Sequence, residues 1–163
     1  MKKFLFLIFL FFLGYGVFLI FNYYLNPKKS FVFYYPKFAI VGFDSEKREI
    51  KINKNKAKNL EEILIREYLL GPISYKMRPG FPVEVDVKSI FIIYSVKSVD
   101  AIIDFNSEFL SYIDKIDEWT IRSFLETLKV NTRIKKVLFL CEGKRMKEKI
   151  GNYNLYNFIE IKK

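Results

Sequence analysis

The chain has 163 residues and carries 28 Lys and Arg against 18 Asp and Glu, so its formal net charge is +10. It contains no His and one Cys, which excludes His-dependent catalytic triads and disulfide scaffolds and disfavours zinc sites of the His/Cys type. The basic surplus favours anionic lipid or wall polymers as partners. Since no nucleic-acid-binding motif accompanies that charge, we predict no nucleic-acid partner, and also no metal and no cofactor.

The first element is an uncharged apolar run from Phe4 to Leu25, with Lys2 and Lys3 before it and Lys28 and Lys29 after it. As a helix with a rise of ~1.5 Å per residue, this run would be roughly 33 Å long, which suffices for a hydrocarbon core of ~30 Å. We therefore predict a single transmembrane helix and the membrane as a partner.

A cleavable signal peptide is the alternative interpretation of this run. Gly14 and Gly16 are the only pair of small residues in it, and the apolar sequence continues beyond them, which favours an uncleaved signal anchor. The lysines on both sides nearly cancel the positive-inside bias, but a very short N-terminal flank usually stays in the cytoplasm. We therefore expect residues 1–29 to be the anchor and linker, and residues 30–163 to form one extracytoplasmic domain.

Strands and a helix follow the anchor. The aromatic and β-branched segment Phe31 to Tyr35 predicts a strand, and Phe38 to Phe43 predicts a second strand or a continuation of the first. In the charged segment 44–58, Ile50 and Ile52 alternate as in a short edge strand, and the lysines indicate a solvated face. Asn59 with Glu62 predicts the start of a helix over Leu60 to Leu70, which Gly71-Pro72 ends.

The second half of the domain begins with alternating residues at Val83 to Val87, followed by a predicted hairpin of residues 90–95 and 99–105. Apolar residues at helical spacing predict a helix from Asp117 to Val130. Residues 136–141 read as a buried strand that ends at a buried Cys141, and the tail, 151–163, as an edge strand. This order predicts an α+β fold, with a small mainly antiparallel sheet and two helices packed on one of its faces.

The densest polar group lies where the hairpin ends, at Asp104, Asn106, Ser107 and Glu108. Asp104 and Glu108 could hold a cation or a sugar hydroxyl, or act as a carboxylate pair. The favoured alternative is that Asp104 and Ser107 bind backbone amides at the hairpin exit. Phe81, between Gly80 and Pro82, is a candidate anchor for a partner, although a core position suits it better. We assign no catalytic residue.

Several motifs together resemble one known family. They are Tyr68-Leu69-Leu70-Gly71-Pro72 at a helix end, Pro79-Gly80, the strand Ala101 to Phe105 with its polar exit, the helix Ile121 to Val130, and Val137 to Gly143. In this order they are similar to the GerMN domain of sporulation and germination proteins, over about residues 31–158. The resemblance implies a non-enzymatic, envelope-facing domain with a βαββαβ-like core, similar to ring-building assembly modules. Family members often occur as lipoproteins or tandem copies, whereas this chain has one copy and an apolar leader.

The sequence therefore predicts a non-enzymatic, membrane-anchored domain of the cell envelope. Its expected partner is an envelope protein, a second copy of the chain or a wall polymer, which it would bind through a sheet edge or a helix face. The alternative function is a carboxylate-dependent glycan hydrolase that uses Asp104 and Glu108.

Overall fold

The structure is a computed structural model, and it describes residues 2–25, 28–38, 40–52 and 60–162. By their contacts the residues group into two units, Met1–Ser30 with Glu49–Lys58, and Phe31–Arg48 with Asn59–Lys163. The helices are α1 (Lys2–Leu25), α2 (Leu60–Leu69), α3 (Glu108–Ser111) and α4 (Glu118–Asn131). The strands are β1 (Lys28–Pro36), β2 (Phe43–Lys51), β3 (Val87–Tyr94), β4 (Val99–Phe105), β5 (Ile134–Cys141), β6 (Lys144–Arg145), β7 (Lys149–Ile150), β8 (Tyr153–Asn154) and β9 (Ile159–Glu160).

The first unit contains α1, which covers the whole apolar run predicted to be helical. Among the described residues, no helix combines the length and the apolar character needed to cross a bilayer. The transmembrane role of α1 therefore stays a prediction.

β1 and β2 pair with each other in a two-stranded sheet. The predicted strand at Phe31 to Tyr35 is confirmed, since it lies within β1 and buries Phe31, Phe33 and Tyr35 on alternate positions. The strand predicted at Phe38 to Phe43 is wrong, because the described residues of this segment before Phe43 form the connection to β2 and their apolar side chains are exposed. β2 is longer than the short edge strand predicted around Ile50.

α2 begins at Leu60 and has Glu61 and Glu62 in its first turn, where negative charge favours a helix N-terminus. The predicted cap, Asn59, lies outside the described residues. Gly71 ends the helix with a φ of +81°, a conformation that glycine adopts without steric cost. Its N–H donates to the carbonyl of Tyr68 at 3.1 Å. The predicted helix and its Gly-Pro end are thus confirmed.

The main sheet has five strands in the order β3-β4-β5-β6, with β9 also paired to β5. The predicted hairpin is confirmed, with β3 and β4 antiparallel and Ile103 opposite Ile90. The alternation at Val83 to Val87 does not make a strand before Val87, because residues 83–86 form a loop in which Val83 is 92% exposed. β9, antiparallel to β5, confirms a strand in the tail.

The sheet is mainly antiparallel, as predicted, but one pair of strands that the sequence did not distinguish, β4 and β5, is parallel. Parallel neighbours require a crossover connection, and α4 lies between them in the chain. The sheet is therefore mixed, and β4-α4-β5 forms a βαβ unit within an α+β fold.

Two helices pack against one face of this sheet, as the sequence predicts. The ring of Phe124 in α4 lies 5.0 Å from Tyr68 in α2 and 5.9 Å from Phe139 in β5, measured between centroids. This aromatic cluster is the centre of the core.

Asp117 caps α4 by accepting a hydrogen bond from the Thr120 N–H at 2.9 Å.

α4 also binds the backbone of β1 through polar side chains. Thr127 accepts a hydrogen bond from the Tyr34 N–H at 2.9 Å, and the Asn131 side chain accepts one from the Val32 N–H at 3.1 Å. Four helical residues rise ~6 Å and two strand residues ~6.6 Å, so the two spacings match. α4 therefore satisfies the backbone groups of β1 as a neighbouring strand would.

Candidate functional site

The predicted polar group lies at the carboxyl ends of the parallel pair, where Phe105 of β4 is opposite Cys141 of β5. Ligands of α/β sheets commonly bind at this end of parallel strands. A groove of about 400 Å³ opens here, lined by Ser107, Leu110, Cys141, Glu142 and residues 144–148. Of the four polar candidates, Ser107 lines the groove.

Asp104 and Asn106 are engaged by neighbouring loops. The Asp104 carboxylate is almost buried and accepts the Gly143 N–H at 2.8 Å, which holds the turn between β5 and β6. The Asn106 side chain accepts the Asp86 N–H at 3.1 Å and donates to the Glu84 carbonyl at 2.9 Å. Both side chains therefore fix the loops that surround the strand ends.

Ser107 and Glu108 start the short helix α3. The Ser107 side chain makes no capping hydrogen bond, and its carbonyl accepts the Leu110 N–H at 3.1 Å. Glu108 contributes negative charge beside Tyr112, whose pKa is raised, first by Glu84 and also by partial burial and by Glu108. The two predicted carboxylates therefore have different roles: Asp104 binds a backbone amide, and Glu108 lies in a helical turn.

The groove contains no activated nucleophile among the residues that line it. Burial raises the pKa of the Cys141 thiol, whose Sγ donates to the Asn106 carbonyl at 3.3 Å. A protonated, buried thiol is a poor nucleophile. On the rim, the Lys88 ammonium donates to Glu142 at 2.5 Å and lowers the pKa of that carboxyl. In the described parts of the chain, no group of three or more acidic, Cys or His side chains is placed to hold a metal ion.

Phe81 is a core residue. It is buried, and its ring lies 5.6 Å from Phe105 and 6.1 Å from Tyr68 between centroids. The ring is therefore not available to a partner at the surface. The neighbouring Gly80 permits this packing, because a Cβ there would lie 2.5 Å from the Tyr68 hydroxyl.

A second surface, which the sequence reading missed, lies at the turn between β1 and β2. We call it the hairpin-tip surface, and its apolar side chains are 64% to 86% exposed: Phe38, Ile40, Val41, Ile73 and Tyr75. Its two chain segments are joined by a bridge between Lys37 and Met77, and by the Arg78 N–H, which donates to the Pro36 carbonyl at 2.9 Å. Phe38, Ile40 and Val41 line one depression, and contiguous exposed apolar side chains mark interaction sites.

Charged and aromatic residues surround the hairpin-tip surface. With Phe38, Ile40 and Val41 they line a depression of about 290 Å³, the remaining lining residues being Lys37, Gly42, Arg78, Asp117 and Trp119. Arg78 is paired with Asp117, and hydrogen bonds from Thr120 and Arg78 lower the pKa of Asp117 although burial opposes this. An apolar centre with a polar rim is the usual anatomy of a protein interface.

Comparison with known proteins agrees with the fold. The model of one family, described as Germane: Sporulation and spore germination, matches residues 23–147, which is most of the chain. The chain belongs to the Germane family. The GerMN resemblance derived from the sequence is thereby confirmed. No curated protein matches this Germane chain.

Two solved structures are similar to the Germane chain. The first is the tandem GerMN domains of the sporulation protein GerM from Bacillus subtilis, with 19% identity and a TM-score of 0.52, covering 72% of this chain and 40% of that one. The second is a putative lipoprotein from Clostridium perfringens, with 17% identity and a TM-score of 0.46, covering 82% of this chain and 87% of that one. The Germane chain thus spans about two fifths of the tandem structure. That likeness shows the fold.

Proposed function

We propose that this Germane domain is a non-enzymatic binding module of the cell envelope that acts in sporulation or germination and contacts a protein partner through the hairpin-tip surface. The observation that carries this proposal is that the five apolar side chains of that surface are 64% to 86% exposed. Leaving them in water is unfavourable by ~25 cal/mol per Å² of apolar area, so a partner that covers them gains free energy.

A non-enzymatic role is supported by the hydrogen bonds that the candidate polar side chains already make within the fold. The Asp104 carboxylate and the Asn106 side chain bind backbone groups of neighbouring loops, and the Cys141 thiol is buried. A glycosidase needs two carboxyl groups placed on either side of the scissile bond. Since Asp104 is occupied by the Gly143 amide, no observation favours the hydrolase alternative.

The chemistry of the hairpin-tip surface favours a protein over a wall polymer. Phosphate-rich polymers are recognised through hydrogen bonds and charge, whereas this surface is apolar at its centre. Its basic residues, Lys37, Lys76 and Arg78, outnumber the acidic Asp44 and Asp117, which pair with Lys37 and Arg78. The complementary partner presents an apolar patch with acidic residues at its rim.

The test introduces a photo-crosslinking amino acid at Phe38 of the full chain in its host. We expect one discrete crosslinked protein, and we expect Ile40→Ser with Val41→Ser to reduce its yield at least tenfold and to impair sporulation or germination. The matched control is Val83→Ser, which changes a still more exposed valine outside this surface. Equal crosslinking in the double variant and the control, or crosslinking to wall polymer alone, would contradict the proposal.

We further propose that residues 1–29 are a single-pass anchor and that residues 30–163 form the extracytoplasmic domain. The support is the uncharged run Phe4 to Leu25, continuous with the 24-residue helix α1. We expect the chain to stay with the membrane during alkaline carbonate extraction, and Phe9→Lys with Phe12→Lys to release it. A protease added to intact protoplasts should digest the domain. Recovery of wild-type chain in the soluble fraction would refute the anchor.

A further inference from the structure

The turn between β3 and β4 presents a fully exposed apolar side chain. The Ser95 N–H donates to the Ser98 carbonyl at 2.8 Å, and the Ser95 hydroxyl accepts a hydrogen bond from the Ser98 N–H at 2.9 Å, so the turn is held at both sides. Val96 lies at its tip and is fully exposed. Turns favour glycine, proline, asparagine and aspartate, so turn chemistry does not account for a β-branched apolar residue here.

Four basic side chains lie along the same end of the main sheet as this turn. The Lys135 ammonium donates to the Lys97 carbonyl at 2.8 Å, which brings its charge to the turn. Arg133 directly precedes β5, whose first residue is paired with the first residue of β4. The Ile161 N–H donates to the Lys135 carbonyl at 2.7 Å, which places Lys162 beside the start of β5. We call this group the turn-end surface, and its residues are Val96, Lys97, Arg133, Lys135 and Lys162.

The cations of the turn-end surface are available to an anionic partner. All four are exposed, and none of them forms an ion pair with another described residue. Glu160, two residues before Lys162, pairs with Lys136 at 3.4 Å instead. Asp100 at the start of β4 is half-buried, and its single charge leaves the group with a positive surplus. The turn-end surface therefore combines an apolar tip with unneutralised positive charge.

We propose that the turn-end surface docks on a membrane that contains anionic lipids, with Val96 entering the headgroup layer. An apolar tip accompanied by cations matches a bilayer surface, in which anionic headgroups cover an apolar interior. Three of the four cations are lysines, which are depleted from protein–protein interfaces but attracted to anionic membranes. The net charge of +10 draws the whole chain to the same partner. These features favour a lipid surface over an acidic protein.

This docking goes beyond the proposed function and can fail separately from it. It uses a different surface from hairpin-tip binding, and it does not require α1 to cross the bilayer. Because few charges take part, and because salt screens exposed charges beyond ~8 Å at physiological ionic strength, the docking should be reversed by salt. Sedimentation with vesicles reports whether the chain is held at the membrane at all, whereas a probe at Val96 reports whether this surface reaches the lipid.

The test attaches an environment-sensitive fluorophore to Val96→Cys in the full chain, reconstituted into vesicles. Labelling is selective because the native Cys141 is buried. In vesicles of equal parts phosphatidylcholine and phosphatidylglycerol, we expect the emission to shift to shorter wavelength and quenching by acrylamide to fall several-fold. In phosphatidylcholine alone, or at high salt, the probe should stay in water. The matched control is Val83→Cys, an exposed valine in the loop before β3, which should report water in both kinds of vesicle.

Charge reversal in the Val96→Cys background tests the role of the cations. Lys97→Glu with Arg133→Glu should abolish the emission shift in anionic vesicles. Lys144→Glu with Lys147→Glu changes the net charge equally but lies beyond the other end of β5, so it should leave the shift in place.

Four outcomes would each overturn the proposal. They are the absence of a shift in anionic vesicles, an equal shift in neutral vesicles, an equal shift at Val83→Cys, and an equal loss in both charge-reversed variants. Protection of the probe at Val96 by an added cell extract, but not by anionic vesicles, would assign the surface to another macromolecule and would overturn it as well.

Discussion

Replacing Arg48 with alanine is expected to lower the free energy of unfolding by about 3 to 5 kcal/mol, the usual cost of breaking a buried ion pair by removing one partner. Arg48 is buried, and its Nε donates to the Glu46 carboxylate at 2.6 Å. It also donates to the carbonyls of Glu67, at 3.2 Å, and of Gly71. The substitution would leave a buried carboxylate and two carbonyls without this donor.

The Arg48 guanidinium also packs against β1, the partner strand of β2. It lies over the rings of Phe33 and Tyr35, 5.1 and 5.3 Å from their centroids. Cation–π contacts of this kind add ~0.5 to 2 kcal/mol. Denaturant titration in detergent, followed by the fluorescence of the single Trp119, measures the loss.

A matched control is Arg66→Ala. Arg66 pairs with Glu62 on the exposed side of α2 at 3.1 Å, and such a pair contributes ~0.3 to 0.5 kcal/mol. If Arg48→Ala lowered the free energy of unfolding no more than Arg66→Ala does, the pair of Glu46 and Arg48 would not hold the hairpin of β1 and β2 to α2.

The same site makes stability depend on pH. Burial alone would raise the pKa of Glu46, but the N–H groups of Ile73 and Ser74 and the Arg48 guanidinium bind its charged form and lower the pKa overall. A carboxyl with a lowered folded-state pKa stabilises the fold above its unfolded-state pKa, and this contribution is lost as the pH falls through the folded-state pKa. Glu46→Gln should therefore flatten the acid limb of the stability profile below about pH 4.5.

The sequence contains a signal for the pair of Glu46 and Arg48. It was overlooked because the lysines of segment 44–58 were interpreted as a solvated face. Glu46 and Arg48 are two residues apart on a strand, so they point to the same face. When most residues of a strand are charged, both of its faces appear to be exposed, unless the element that packs on one of them is known. That element is the end of α2, some 20 residues later, which local pattern does not identify.

Local patterns did predict α2, α4, the hairpin of β3 and β4, and the strand β5, because each buries a periodic set of apolar residues. They did not predict the parallel pairing of β4 with β5, which depends on the path of α4 between them. They also placed Phe38 to Phe43 in a strand, on the strand propensity of these residues. Strand propensity reflects packing against neighbours, whereas Phe38, Ile40 and Val41 are largely exposed.

The candidate site, too, was predicted from local sequence only in part. The local role of Asp104, binding a backbone amide beyond the strand, was the favoured interpretation of its position in the sequence, and the structure places the Gly143 N–H there. The identity of that amide, 39 residues away, could not be derived from local sequence. The hairpin-tip surface was missed because it unites two segments that are distant in sequence and meet at the bridge between Lys37 and Met77.

Replacing Phe124 with alanine should be the most destabilising change to the aromatic core, at about 3 to 5 kcal/mol. The side chain is fully buried, and its ring contacts Tyr68 of α2, Phe81 of the loop before β3 and Phe139 of β5. One truncation therefore opens a cavity between three parts of the unit that are distant in sequence. Loss of near-ultraviolet circular dichroism at lower denaturant concentration would report it.

Phe38→Ala removes the same atoms from a largely exposed position at the hairpin tip, so it should change the free energy of unfolding by less than about 0.5 kcal/mol. Its effect should appear in partner binding. The two variants thus compare two uses of apolar area, because Phe124 packs in the core of its own unit, whereas we propose that Phe38 contacts a second molecule. Equal stability losses in the two variants would mean that the tip is covered by its own chain, and the hairpin-tip surface would then have no free area to offer a partner.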